Sequence, residues 1–183
     1  MSYYRKIEYK IIPEESYPVW RGCPGCGKKT HYRSTEKFRV NANGNKLDVW
    51  LIYQCEKCRH TLNLSIYERQ GTLSIPGDKY MLFLDNNRQL AREYGRDIQL
   101  FRRNKAEVDF EGLRYRLEIL RDEMEAAEEE GARIRLLAHN PYGLKIRPER
   151  QIAELLGVSG NQAKRMLREG EIELEKIAES WHR

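Results

Sequence analysis

Apolar and polar residues alternate with a period of two along several stretches of the N-terminal half. The first stretch begins at Ile7 and ends at Pro13. Three further stretches with this period follow, at residues 38–40, 47–53 and 62–66. A period of two is typical of β-strands that bury one face. The dipeptide Asn43-Gly44 favours a tight hairpin between two of them, so the pattern predicts antiparallel strands.

Helical spacing replaces this alternation after a break at residues 74–78. Short apolar groups then predict three short helices, at residues 80–84, 90–94 and 98–101. Alternation returns at residues 113–119 and again at residues 132–136, which predicts a pair of strands. The acidic run at residues 122–130 between them is predicted to be a solvated helix or loop.

Two short helices joined by a tight turn are predicted near the C-terminus. Pro148 suits the first turn of one helix, and Gly157 stops it. Ser159 is a good N-cap for the next helix, which Gly170 ends. Residues 171–174 suggest the start of a strand, whereas the acidic residues 174–181 read as helical.

All the cysteines of the chain fall in two CxxC pairs. The first pair is Cys23 with Cys26, and the second is Cys55 with Cys58. Two such pairs can complete a tetrahedron of thiolates around Zn²⁺. Disulfides are the alternative, but no signal peptide precedes the first pair, so we expect a reducing cytoplasm. The spacing therefore predicts a bound zinc ion.

The predicted zinc site is structural, because four thiolates leave no position open for water. His31 and His60 lie near the two pairs and are alternative ligands in place of a cysteine. No glycine-rich phosphate loop follows a strand, and no Gly-x-Ser-x-Gly sequence occurs. The chain is therefore predicted not to be an enzyme.

These elements predict an α+β fold in three segments. Residues 1–75 form an N-terminal antiparallel zinc ribbon in this prediction. Residues 76–140 form a central segment of helices plus a strand pair, and residues 141–183 form a C-terminal helical hairpin with a tail.

The charge balance is basic but modest. The 183 residues carry a formal net charge of +5, and the sequence pI is about 9.0. This excess is compatible with nucleic acid without requiring it. No apolar run approaches the length that spans a bilayer. We therefore expect a cytoplasmic protein without a membrane partner.

The C-terminal segment resembles the S-four-type RNA-binding domain of a small-subunit ribosomal protein, bacterial tyrosyl-tRNA synthetases and pseudouridine synthases. The resemblance rests on residues 157–159, 162–167 and 169–172. It implies two helices that present basic side chains to the backbone of folded RNA, so RNA or a ribonucleoprotein is the expected partner. Gly160-Asn161 departs from the family, which usually has a basic residue after the serine. The implied RNA contacts are Arg147, Arg150, Lys164, Arg165 and Arg168.

Two other functions fit the same residues. A helix-turn-helix regulator would place the second helix in a DNA major groove, with Asn161, Gln162 and Arg165 forward. A protein-interaction module would have no nucleic-acid partner, and in the simplest interpretation the helix pair only packs within the fold. DNA is the less favoured nucleic acid, because the segment before the pair reads as extended and lacks a supporting helix.

The whole chain also resembles a bacterial group, domain-of-unknown-function family one-zero-six-two. The matching stretches are residues 36–43, 47–58 and 145–148. The resemblance supports the predicted architecture, and no activity comes with it.

Overall fold

A computed structural model describes residues 2–127 and 131–178 of the chain. The helices and strands of this structure, in order, are β1 Ser2–Pro13, β2 Val19–Cys23, β3 Lys28–Asn43, β4 Lys46–Cys55, β5 Thr61–Gly71, α1 Gly77–Leu84, α2 Arg88–Tyr94, α3 Ile98–Arg103, β6 Tyr115–Ala127, β7 Ile134–His139, α4 Pro148–Leu156, α5 Gly160–Arg168 and β8 Ile172–Ile177.

The chain divides into two compact units. The first is Glu14–Arg114, which we call the cysteine unit. The second joins the residues up to Pro13 with those from Tyr115 onward, and we call it the mixed-sheet unit. The predicted domain boundaries at residues 75 and 140 do not coincide with the boundaries of these two units, and the predicted domains stay a prediction.

The cysteine unit is built on an antiparallel sheet with the strand order β2-β3-β4-β5. The predicted hairpin between β3 and β4 is present, and its turn consists of Gly44, at φ +60°, and Asn45, directly after the last β3 residue Asn43. On β4, the alternating residues Leu47, Val49, Leu51 and Tyr53 are buried, whereas the residues between them are only half-buried. The buried side chains of β4 therefore lie on one face of the strand.

Three short helices complete the core of the cysteine unit. Phe83 of α1 packs edge-on against Phe38 of β3, and Tyr94 of α2 joins this aromatic cluster. Two asparagines at helix ends also bind strand backbone. Asn86 accepts a hydrogen bond from the Phe38 amide at 2.7 Å, and Asn104 binds the backbone of β5.

The mixed-sheet unit has the strand order β6-β1-β7-β8. β1 runs antiparallel to β6 and parallel to β7, and β7 runs parallel to β8. Helices α4 and α5 provide the crossover that two parallel strands require. Gln151 of α4 is buried and accepts a hydrogen bond from the Tyr9 hydroxyl at 2.5 Å, and Ile152 and Ala163 are fully buried. None of the described helices is both long and apolar enough to cross a bilayer.

The predicted fold class is wrong. Strands make up 46% and helices 24% of the described structure, which is mostly β. The term α+β describes it only broadly, and the predicted arrangement of a ribbon, central helices and a helical hairpin is not found. The strands with the cysteines do not form a separate N-terminal ribbon, because they share one unit with α1, α2 and α3. The C-terminal segment is not a helical hairpin, because β8 follows α5 and pairs with β7.

Two local predictions near the C-terminal half are also wrong. The acidic run is not a helix or loop, because β6 continues through Ala127 and pairs with β1. Residues 174–177 are strand rather than helix. The predictions for residues 128–130 and 179–183 lie outside the described residues.

Candidate metal centre and basic surface

Two turns at one end of the antiparallel sheet place the four cysteines together. Cys23 ends β2, and Cys26 lies in the turn that leads into β3. Cys55 ends β4, and Cys58 lies in the turn that follows it. Because β3 lies between β2 and β4, the two turns are neighbours.

The geometry of the four sulfurs fits one small cation. All four Sγ atoms lie within 4.8 Å of one another. Cys23 Sγ is 3.4 Å from Cys58 Sγ, and Cys26 Sγ is 3.8 Å from Cys55 Sγ. A tetrahedron with Zn–S bonds of about 2.3 Å has S···S edges of roughly 3.8 Å. The four cysteines are free thiols, and they are the one group of this kind within residues 2–127 and 131–178.

The thiols of the cluster ionise unequally without a cation. Burial tends to raise the pKa of Cys55, but hydrogen bonds from the backbone of Cys58 and Lys57 and from Thr30 lower it to about 6. The neighbouring Cys58 sulfur, followed by burial, raises the pKa of Cys26 to about 12. Four adjacent thiols cannot all become thiolates together, because each negative charge opposes the next. A divalent cation at the centre would remove this opposition.

Gly25 provides space for the second cysteine pair. A Cβ atom at this position would lie 2.8 Å from Cys58 Sγ, which is closer than real Cβ atoms approach. Gly27 has a different reason to be glycine, since its φ is +67°. We call the turn at residues 24–27 the first knuckle and the turn at residues 56–58 the second knuckle. The first knuckle therefore needs Gly25 for space and Gly27 for its backbone conformation.

The two nearby histidines are not part of the cysteine cluster. His31 Nε2 lies 2.6 Å from Asp109 Oδ2, and its ring packs on Trp20 with centroids 4.6 Å apart. His60 is exposed, and its carbonyl accepts a hydrogen bond from the Cys55 amide. Thr30 and Asp109 were not predicted from the sequence, because no spacing rule links either residue to the cysteines.

Three of the five predicted RNA contacts lie together on α5. Lys164, Arg165 and Arg168 line a wide, open depression of about 660 Å³, together with Ser159, Asn161 and Gln162. We call these six residues the α5 surface. In the part of the chain that the structure describes, Lys164 and Arg165 have no acidic partner within 4 Å. Arg168 has a loose one, with Glu169 at 3.9 Å.

The other two predicted contacts lie elsewhere. Arg147 lines a separate cavity of about 490 Å³ with Lys145 and Lys176. Arg150 Nε lies 3.6 Å from Glu154 Oε1, and its guanidinium group lies over the Tyr115 ring at 5.0 Å. Both of these contacts of Arg150 are with residues of the mixed-sheet unit. Arg147 and Arg150 are therefore not part of the α5 surface.

The fold and the cysteine cluster together define a mostly β protein with a candidate metal centre. The chain belongs to the family described as "Protein of unknown function (DUF1062)", whose model matches residues 40–177. No curated protein and no solved structure matches the chain.

Proposed function

We propose that the four cysteines hold a structural Zn²⁺ ion. The observation that supports this proposal is the tetrahedral spacing of four free thiols on two adjacent turns. An all-sulfur set favours zinc over magnesium, calcium or manganese, which take oxygen ligands. A complete set of four protein ligands leaves no site for water or substrate, so the ion stabilises the fold instead of taking part in catalysis. The cytoplasm fits such a site, because its reducing conditions keep the thiols free.

Metal analysis and proton release test the zinc site. Protein purified with zinc should contain one ion per chain, and Cys58→Ser should lose it. Zinc added to the metal-free protein should release protons, since the raised pKa values of Cys26 and Cys58 keep those thiols protonated at neutral pH. For the same reason, the apparent zinc affinity should fall between about pH 8 and about pH 6. Binding without proton release would contradict ligation by these thiols.

We propose that the protein binds RNA through the α5 surface. The observation that supports this proposal is the clustering of three exposed cations of one short helix around an open depression. Two of them, Lys164 and Arg165, have no acidic partner within 4 Å among the described residues, so their charges are available to phosphates. Ser159, Asn161 and Gln162 add polar groups that can bind phosphate or sugar oxygens.

Contacts of this kind position a protein on a nucleic-acid backbone and do not distinguish one base sequence from another. We therefore expect affinity for structured RNA with little sequence preference. A DNA regulator using the same helix would instead prefer particular duplexes, because side chains in the major groove distinguish base pairs. A protein-interaction module would bind neither nucleic acid.

A salt series on the zinc-loaded protein separates these functions. Structured RNA should bind with a log affinity that falls with log salt, and Arg165→Glu/Arg168→Glu should reduce that slope by about 2. The control Lys37→Glu/Lys46→Glu changes the net charge equally at exposed positions of β3 and β4, and it should leave the slope near the wild-type value. Stronger binding to particular DNA duplexes would favour the regulator. No binding to RNA at low salt would overturn the proposal.

A further inference from the structure

β6 is a long strand at the edge of its sheet, and among the described residues no strand pairs with its outer side. It has 13 residues and lies at the end of the strand order in its sheet. It contains no proline, and three of its apolar side chains are exposed: Ile119 by 50%, Leu120 by 46% and Met124 by 65%. An edge of this kind presents unpaired backbone N–H and C=O groups that another strand can pair with. Natural proteins usually shorten such edges or place bulges and charged side chains on them. β6 is long and carries both a bulge and charges, so their arrangement decides which strand can pair with it.

β6 has a β-bulge near its middle. Arg121 pairs with Glu8 and Ile119 pairs with Tyr9, so Leu120 is an extra residue. An extra residue shifts the alternation of faces by one position. As a result, residues at equal distances from the midpoint between Ile119 and Leu120 point to the same face of the sheet. β6 therefore has the symmetry that antiparallel pairing with a second β6 requires, with the two-fold axis at Ile119 and Leu120.

We infer that β6 pairs antiparallel with β6 of a second copy of this chain, so that two four-stranded sheets join into one of eight strands. Such an interface is isologous, and every contact across it occurs twice.

The charges along β6 support this pairing. With the axis at the bulge, Arg116 lies opposite Glu123, and Glu118 lies opposite Arg121. Opposite charges at facing positions stabilise a strand pair, and like charges destabilise it. A shift of the axis towards the start of β6 places Arg116 opposite Arg121. A shift the other way places Glu118 opposite Glu123. Each of these shifts therefore places a pair of like charges face to face, whereas the register with its axis at the bulge places none.

The exposed apolar residues fit the same register. Ile119 and Leu120 of the two copies meet at the axis, which removes these side chains from water. Met124 of one copy lies opposite Tyr115 of the other, a pairing of sulfur with an aromatic ring that is favourable in proteins. The three large apolar side chains that β6 exposes thus all gain partners in the dimer.

Charge reversal tests both the dimer and its register. Light scattering on the zinc-loaded protein should give twice the chain mass of 21.8 kDa. Arg116→Glu and Glu123→Arg should each be monomeric alone, because each variant places two like-charged pairs across the axis. An equal mixture of the two variants should recover a dimer, because every facing pair in the mixed dimer is again of opposite charge. An effect of either reversal within its own chain would not be repaired by mixing.

A control variant lies on the opposite edge of the same sheet. Glu175→Arg on β8 reverses an exposed charge and should leave the dimer intact. Circular dichroism of all variants should match the wild-type spectrum. A wild-type protein that stays monomeric up to about 100 µM would overturn the inference. So would single reversals that remain dimeric, or a mixture that stays monomeric.

Discussion

Gly25 shows how closely a single residue controls the candidate metal centre. Its lack of a side chain allows the first knuckle to pass within contact distance of Cys58 Sγ. Gly22, three residues earlier, has no atom within 4 Å of the position that a Cβ would occupy. The two glycines therefore form a matched pair in which one substitution is crowded and the other is not.

We predict that Gly25→Ala weakens zinc binding about tenfold or more, because the added methyl group displaces a sulfur ligand. Competition with a chromogenic chelator measures this affinity. Gly22→Ala should bind zinc like the wild-type protein. Equal zinc affinities for the two variants would show that the first knuckle does not approach Cys58 as the structure describes.

Residue types and spacing predicted the four cysteines of this site but not the polar residues around them. The two CxxC pairs identify the four cysteines, since few other arrangements of cysteine have this spacing. The partners of the site follow no such rule. Thr30 lies 25 residues from Cys55, and Asp109 lies 78 residues from His31. Such polar contacts depend on the folded path of the chain, so only the structure could reveal them.

At the scale of helices and strands, Asn104 connects α3 to β5. Its Oδ1 accepts a hydrogen bond from the Ser65 amide at 2.7 Å, and its Nδ2 donates to the Ser65 and Leu100 carbonyls. The side-chain amide of Asn104 thereby makes the two backbone hydrogen bonds to Ser65 that a neighbouring strand would otherwise make. At the end of α3 it adds a second hydrogen bond to the Leu100 carbonyl, which also accepts from the Asn104 backbone amide.

We predict that Asn104→Ala lowers the free energy of unfolding by about 2 kcal/mol, because half-buried backbone groups lose their partners. Urea unfolding of the zinc-loaded protein measures this change. Asn104→Asp keeps the acceptor but not the donors, and we expect an intermediate loss. Asn45→Ala, at the exposed β3–β4 turn, should change the free energy by less than about 0.5 kcal/mol. A loss at Asn104 no larger than this would show that its bonds are replaced by water.

Local signals predicted several boundaries of the helices correctly. Ser159 caps α5 by accepting from the Gln162 amide, and Gly157 ends α4 in the left-handed conformation at φ +67°. The acidic run was predicted wrongly because its strand character comes from its partner. Arg5 pairs with Asp122, and Lys6 pairs with Glu125, across β1 and β6. A run of acidic residues has no apolar alternation, so its own sequence favours a solvated segment.

At the scale of the whole molecule, the sequence could not predict how distant strands pair. β1 joins β6 and β7 through contacts more than 100 residues apart along the chain. Parallel strands are connected by long crossovers, so no turn residues mark which strands are neighbours. The hairpin at Asn43-Gly44, in contrast, has a local signal and was predicted correctly.

The division into two units determines where metal loss should act. The cysteine unit holds all four thiols, and the two knuckles connect β2 and β3 with β4 and β5. A structural zinc site can contribute on the order of 10 kcal/mol, which is comparable to the whole stability of a domain. The mixed-sheet unit has its own core, which includes Tyr9, Leu136 and Ile152.

We predict that zinc removal by a strong chelator unfolds the cysteine unit, while the mixed-sheet unit keeps its structure. Hydrogen exchange measured by mass spectrometry follows each unit separately. Amides of β3 and β4 should lose protection, whereas those of β1, β7 and β8 should retain it. Cys58→Ser without chelator should give the same pattern. If β3 and β4 stay protected after zinc loss has been verified, packing alone holds the sheet, and the ion does not stabilise the fold.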